Sequence, residues 1–475
     1  MTSAPYTKIS ESTRSKIINI TGAKNVITDK AGMEDFTHDE YSLDKFKSYP
    51  ELVTKPGSAA QVSELLKLAN SEKFPVYPRG GGTGLCGGCV PTSGGLVVMF
   101  ENMNRVLEVD TQNIMAVAEP GVSLAQFYKE VEKHGLHFPP HPGDENATIG
   151  GVISTNAGGS GAVKYGVVRN YVKGLEVVLP TGEIIHTGGK IMKNSTGYSL
   201  LNLFIGAEGT LGIVTKAIIN LLSPAQYSMT LVVPFAELSG AISTVPEIIR
   251  AKINPMTVEF IEKDIIPLAE KHLDRKWPQS LGKADLMITV DGDSEDELLK
   301  VCARISDICI QNGALEIFVA DTKEKQKNIL FIRSNLYEVI KKYMLEDLDI
   351  VVPRANIAEL VAKVRELEKK YGMWMPTYGH AADGNVHVHI LKAVTRNGEW
   401  VELPEKDWKT NYEKATEDLY SHALKMGGQL SGEHGIGILK KKFIGSFLDA
   451  KQLELMKRVK AVFDPNNILN PGKII

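Results

Sequence analysis

Apolar residues recur at three- and four-residue spacing at Val62, Leu65, Leu66 and Ala69, which predicts a helix opening after Lys55-Pro56-Gly57. Short apolar runs at 74–77 and 96–100 read as strands, and between them lies Pro78-Arg79-Gly80-Gly81-Gly82-Thr83-Gly84-Leu85-Cys86-Gly87-Gly88. Ser123 caps a second helix, whose apolar face is Leu124, Phe127, Tyr128 and Val131 and which stops at Gly135. Strand and helix thus alternate over 60–135, the α/β signature. Strands at 175–179 and 184–186 follow, joined by the turn Pro180-Thr181-Gly182-Glu183. Past Pro224 glycine thins out, and strands at 229–233, 286–290 and 314–320 alternate with helices at 295–312 and 357–371. A closing helix is expected at 451–463. The pattern divides the chain into an N-terminal helical extension (1–47), a glycine-rich domain (48–225), an α+β domain (226–425) and a C-terminal segment (426–475).

Glycine spacing adds a binding site to this outline. Glycine frees the backbone to take positive φ and to lie flush against a ligand. Successive bare N–H groups in such a loop can converge on an anion, as backbone nests hold phosphates. A flexible linker would not sit tightly between two strands, so 78–88 reads as a diphosphate-binding loop. A second glycine-rich region carries Pro142, Gly143, Thr148, Gly150, Gly151, Thr155, Gly158 and Gly161, and a third carries Glu208, Gly212, Ile213 and Val214. Three such loops, each beside a β-run, suggest a large cofactor held in extended form. A GxGxxG fingerprint opening a helix is absent, which disfavours a Rossmann nicotinamide enzyme.

The totals are those of an ordinary soluble enzyme: 475 residues, too many for one core, with 43% apolar and 23% charged. A net charge of −3 exerts no long-range pull on nucleic acid or an anionic membrane. No apolar run approaches the roughly 20 residues that span a bilayer. The polar opening lacks the core of a secretory signal, so a cytoplasmic residence is expected. Four cysteines argue against a disulfide scaffold, and against an iron–sulfur cluster, which needs about four thiolates. Cys86 and Cys89 lie inside the glycine loop, and Cys302 and Cys309 share one helix face.

The sharpest chemistry lies in Gly379-His380-Ala381-Ala382-Asp383-Gly384-Asn385-Val386-His387-Val388-His389. Asp-Gly-Asn is turn chemistry, His387 and His389 share one face of a strand, and the reversal brings His380 back beside them. Three imidazoles within ten residues have a natural partner in a divalent metal. In Ser431-Gly432-Glu433-His434-Gly435 an acid and an imidazole stand together between glycines. A carboxylate completes a two-histidine, one-carboxylate set, and a remaining histidine suits a general base.

These stretches, with Lys193-Asn194-Ser195-Thr196-Gly197-Tyr198 and Asn470-Pro471-Gly472-Lys473, resemble the FAD-linked D-2-hydroxy acid dehydrogenases. That family includes D-lactate dehydrogenases, the glycolate oxidase large subunit and D-2-hydroxyglutarate dehydrogenase. The resemblance implies an α+β fold: a two-part FAD-binding domain of the vanillyl-alcohol oxidase type, an inserted α+β substrate (cap) domain, and a C-terminal segment that closes the site. It implies FAD held by Pro78, Arg79, Gly80, Gly81, Gly82, Thr83 and Gly84 and by the residues named in the second and third loops. Some relatives tether flavin through a histidine near the place of Thr83, so noncovalent FAD is expected. By position the metal ligands fall on His380, His387 and Glu433, for zinc, iron or manganese. The catalytic base falls on His434, and the arginine that clamps the substrate carboxylate on Arg333. His389 joins the catalytic set, at a place held by asparagine in the D-2-hydroxyglutarate enzymes.

Those enzymes also grip a distal carboxylate with lysine, whereas Leu345-Glu346-Asp347-Leu348-Asp349 is acidic and would repel one. A small monocarboxylate, D-lactate or glycolate, is therefore expected over 2-hydroxyglutarate. Without a cluster of its own, the chain is expected to pass electrons to a partner such as an electron-transfer flavoprotein. A non-catalytic flavin subunit would lack the histidines, and a metallohydrolase would leave the glycine loops without a job.

Overall fold

The computed structural model describes residues 6–42, 47–396 and 399–475. The chain forms two compact units: Met1–Gly159 with Gly166–Pro224 and Glu433–Ile475, and Ser160–Tyr165 with Ala225–Gly432.

In the first unit, strands Leu52–Thr54, Leu96–Met99 and Val76–Arg79 run parallel, with Val26–Ile27 antiparallel at the edge. Helix Ala59–Glu72 bridges two of the parallel strands; Ser58 accepts a hydrogen bond from the Gln61 N–H and caps its start. Its stripe Val62, Leu65, Leu66 and Ala69 is fully buried on Val76, Leu96 and Val98. Helix Glu11–Thr21, inside the expected N-terminal extension, contributes Ile17 to the same core; of that extension, 1–5 and 43–46 lie outside the described residues. Ile468 and Leu469 from the C-terminal tail fill the core too, so both ends of the chain complete it. A second, antiparallel sheet orders Val106–Asp110, Met115–Ala118, Ile213–Asn220, Val172–Val178 and Ile184–Gly188.

The second unit is built on seven antiparallel strands in the order Phe318–Ala320, Tyr227–Phe235, Ala284–Gly292, Thr257–Glu262, Thr377–His380, Asn385–Leu391 and Met344–Val351. The expected strand at 314–320 is shorter, because the Ala314 N–H still closes the preceding helix on Cys309 O. Helix Glu295–Gln311 buries Leu298, Cys302, Ile305 and Cys309, the single face expected of the two cysteines. Helix Ile357–Tyr371 stops at Gly372 in the left-handed conformation. The opposite face of the sheet carries Val232, Ile261, Met287 and Tyr378, covered by Ile329, Ile332, Leu336 and Trp277. No described helix is long and apolar enough to cross a membrane.

Candidate active site

The first glycine loop leaves the carboxyl end of the parallel strand Val76–Arg79, the place where open α/β sheets bind ligands. There Pro78, Arg79, Gly80, Gly81, Gly82, Thr83 and Gly84 line one cleft of the first unit. Pro142, Thr148, Gly150, Gly151, Thr155, Gly158, Glu208, Gly212, Ile213 and Val214 line the same cleft, so the three glycine-rich loops converge. The walls approach closely: a Cβ on Gly80 would come 2.4 Å from Thr148 Oγ1, and one on Gly81 would come 2.5 Å from Asn146 O. Bare backbone facing a long cleft fits a dinucleotide laid across it.

Two expected cofactor residues, Gly143 and Gly161, are not on this wall. Gly143 turns the chain at φ +92° beside Pro142 and is not a wall residue. Gly161 belongs to Ser160–Tyr165 of the second unit, where Lys164 Nζ meets Asp291 Oδ1 at 2.6 Å. Arg79 lines the cleft, and its Nη1 donates to His38 O at 2.6 Å and to Cys89 Sγ at 3.1 Å. Glu208, also on the cleft wall, accepts from the Ile436 N–H at 2.7 Å on one oxygen and from the Gly437 N–H at 2.8 Å on the other. Burial pushes its carboxyl upward, against these amides and the nearby Lys440 and Lys473. Glu433 and His434 line this cleft too, and Glu433 Oε2 sits where a Cβ on Gly158 would be only 2.8 Å away.

In the second unit the histidines gather on one sheet face. The Asp383–Asn385 reversal puts His380 opposite Asn385 and Tyr378 opposite His387. The rings of His380 and His387 meet edge to face, 5.3 Å apart, and His387 and His389 stack at 6.5 Å. Each imidazole faces a buried carboxylate across a neighbouring strand. His380 pairs with Glu259, His387 with Asp349, and His389 with Asp347. The Nδ1-to-oxygen distances are 2.6, 4.0 and 3.2 Å respectively. Asp347 and Asp349, expected to repel substrate, are thus buried against imidazoles, while Glu346 alternates to the other face.

Glu259 is fully buried and also pairs with Arg333, whose guanidinium lies 4.7 Å from the Tyr378 ring centroid. Although burial works to raise it, His380 and then Arg333 hold the Glu259 carboxyl below the usual range. Arg333 Nε and His389 Nε2 are buried without a hydrogen-bond partner among the described residues. Asp349 also accepts from Asn385 Nδ2 at 2.7 Å, Ser431 Oγ at 2.7 Å and the Gly432 N–H at 2.9 Å, anchoring the strand of chain that leads into Glu433. His380 and His387 could each offer a ring nitrogen to a metal, with a carboxylate behind each ring. Such outer carboxylates orient ligating histidines. Glu259 is the residue of this group that sequence reasoning missed, and Asp347 and Asp349 were named without their histidine partners.

Residues 50–188 match the family described as FAD binding domain, and 224–474 match FAD linked oxidases, C-terminal domain. A D-lactate dehydrogenase of Archaeoglobus fulgidus is 43% identical over 89% of this chain and 91% of its own. The glycolate oxidase subunit GlcD of Bacillus subtilis is 36% identical over 98% of this chain and 97% of its own. The 4-ethylphenol oxidase from Gulosibacter chungangensis, 18% identical, shares the fold with a TM-score of 0.78 over 99% of this chain and 98% of that one. The chain accordingly belongs to the FAD-linked oxidases, as an FAD-dependent oxidoreductase.

Proposed function

We propose that the protein oxidises a small D-2-hydroxy acid, D-lactate foremost, to the corresponding 2-oxo acid. The observation that carries this reading is the contact of His380 Nδ1 with Glu259, which selects the tautomer whose Nε2 presents a lone pair. His380, His387 and Glu433 would hold a divalent metal, zinc, iron or manganese, which would supply Lewis-acid polarisation of the substrate hydroxyl. Bound FAD, noncovalent because Thr83 offers no imidazole, supplies the hydride acceptor.

The chain's own residues bind and deprotonate. Arg333 pairs with the substrate carboxylate: its Nε is an unspent donor, and Tyr378 fixes the plane of its fork. His389 offers its unpartnered Nε2 as a further hydrogen bond. His434 accepts the hydroxyl proton as C2 gives up hydride, so proton and electron pair leave by separate routes. The names of the two relatives above make D-lactate the first candidate and glycolate the second. Electrons then pass to a protein acceptor, electron-transfer flavoprotein subunits being the kind proposed.

An anaerobic visible spectrum tests the reading. Flavin bands that bleach on D-lactate and stay on L-lactate are expected. Bands that bleach with glycolate alone would move the substrate assignment, and bands unmoved by any 2-hydroxy acid in metal-loaded protein would sink it.

A further inference from the structure

We propose that Glu208 is a positioning residue that fixes the loop carrying His434, and so sets where that imidazole stands in the flavin cleft. The proposal rests on His434 being the base and adds what holds it in place.

Glu208 joins three segments of the first unit that are far apart in sequence. Its N–H donates to Ser154 O at 2.7 Å, in the helix Ile149–Thr155 that forms one wall of the cleft. Its own carbonyl accepts from Asn470 Nδ2 at 2.7 Å, in the C-terminal tail. Its carboxylate takes the Ile436 and Gly437 amides, two and three residues past His434. The loop is held from the other side by Cys86 of the first glycine loop. Cys86 Sγ donates to Gly435 O at 3.2 Å, and Cys86 O accepts from the Ile438 N–H at 2.9 Å. Gly437 has φ +51°, and a Cβ there would come 2.0 Å from Cys86 O, so the loop has no room to shift toward that wall.

The backbone at Glu208 points the same way. It is left-handed at φ +49°, a conformation that glycine adopts freely and that other residues hold only where the surroundings impose it. What glutamate adds at this strained position is a carboxylate aimed at two amides. Each oxygen accepts from one of two successive backbone N–H groups, so the carboxylate spans the loop just past His434. A buried carboxylate with two amide partners restrains a loop more tightly than either hydrogen bond alone.

Glu208→Gln tests this, because the amide keeps one acceptor but turns an N–H against a backbone N–H. Glu208→Asp keeps the charge and withdraws it by one methylene, and serves if the glutamine variant loses its fold. Hydrogen–deuterium exchange of 433–438 in the FAD-loaded protein is expected to accelerate in both variants while exchange of the strand 213–220 stays as in wild type. Anaerobic flavin reduction by D-lactate is expected to slow about 100-fold. FAD content and the substrate concentration at half-saturation should hold within about twofold, and the aspartate should recover part of the rate. Unchanged exchange at 433–438 overturns the proposal, as does faster exchange with an unaltered reduction rate. Wild-type protein that ignores D-lactate overturns the proposed substrate instead, and the exchange result then decides Glu208 alone.

Discussion

Glu259 Oε1 and His380 Nδ1 lie 2.6 Å apart on adjacent antiparallel strands, with Arg333 on the other oxygen of the same carboxylate. One buried acid therefore orients both the proposed metal ligand and the proposed substrate clamp. Glu259→Gln would remove the charge that favours a proton on Nδ1 and leave Arg333 uncompensated. Metal affinity should fall 10–100-fold. The second unit should lose about 3–5 kcal/mol, the usual result of breaking a buried pair from one side. Titration of chelator-treated protein with Zn²⁺ or Mn²⁺, alongside urea unfolding, reads both quantities. Unaltered metal affinity in a folded variant would remove Glu259 from the site.

The cleft makes a separate prediction that needs no substrate. A Cβ at Gly81 would meet a backbone oxygen, Asn146 O at 2.5 Å, which cannot swing aside as a side chain could. Overpacking of this kind costs about 1–3 kcal/mol. Gly81→Ala should therefore weaken FAD by about 10-fold or more while the parallel sheet stays folded. Flavin fluorescence on titrating the apoprotein gives the value. Wild-type affinity would show that this wall does not approach the cofactor.

His434→Ala separates binding from proton transfer. His434 lines the FAD cleft, but the glycine loops that shape the rest of that cleft are untouched by its loss. Flavin content should stay near wild type while flavin reduction by D-lactate slows about 10²–10⁴-fold, the ordinary worth of a general base. Stopped-flow absorbance under anaerobic conditions measures it. A rate within a few-fold of wild type would mean that another group takes the proton.

Periodicity made much of this molecule legible. The Val62–Ala69 stripe, the Ser123 cap and the Cys302/Cys309 face depend on neighbours within one helix, and local spacing reports them. The Asp-Gly-Asn turn likewise brings His380 beside His387 through a few residues of chain. The carboxylates behind the imidazoles were not legible, because strand register across the sheet sets them: Glu259 stands 121 positions from His380. Without that register, Asp347 and Asp349 read as loose negative charge rather than as partners of His389 and His387. Arg79 and Glu208 line the cleft as expected, but their other partners were not legible, for a related reason. Arg79 donates to His38 O, 41 positions away, and Glu208 accepts from the Ile436 and Gly437 amides, 228 and 229 positions away, so the fold and not local spacing brings these partners together.

A pH effect is expected well away from the chemistry, at Asp285 in the second unit. This carboxyl is fully buried, and burial pushes its pKa up to about 6 against the pull of Lys263, Trp277 and Gln279. Trp277 Nε1 donates to it at 2.7 Å, and Lys263 Nζ stands 3.3 Å away. An acid whose folded pKa exceeds its unfolded value, 3.8 here, binds its proton more tightly in the folded state. Its contribution to stability is thus fully present below about 3.8 and fades as pH rises through about 6. Between pH 7.5 and pH 5, wild type should gain about 1 kcal/mol on Asp285→Asn, which has no proton to take up. Urea unfolding followed by tryptophan fluorescence, with Trp277 as the local reporter, should show the gap in midpoints moving toward wild type as the pH falls. A gap that stays constant across this range would mean that Asp285 keeps its charge throughout, and that the Lys263 pair outweighs burial.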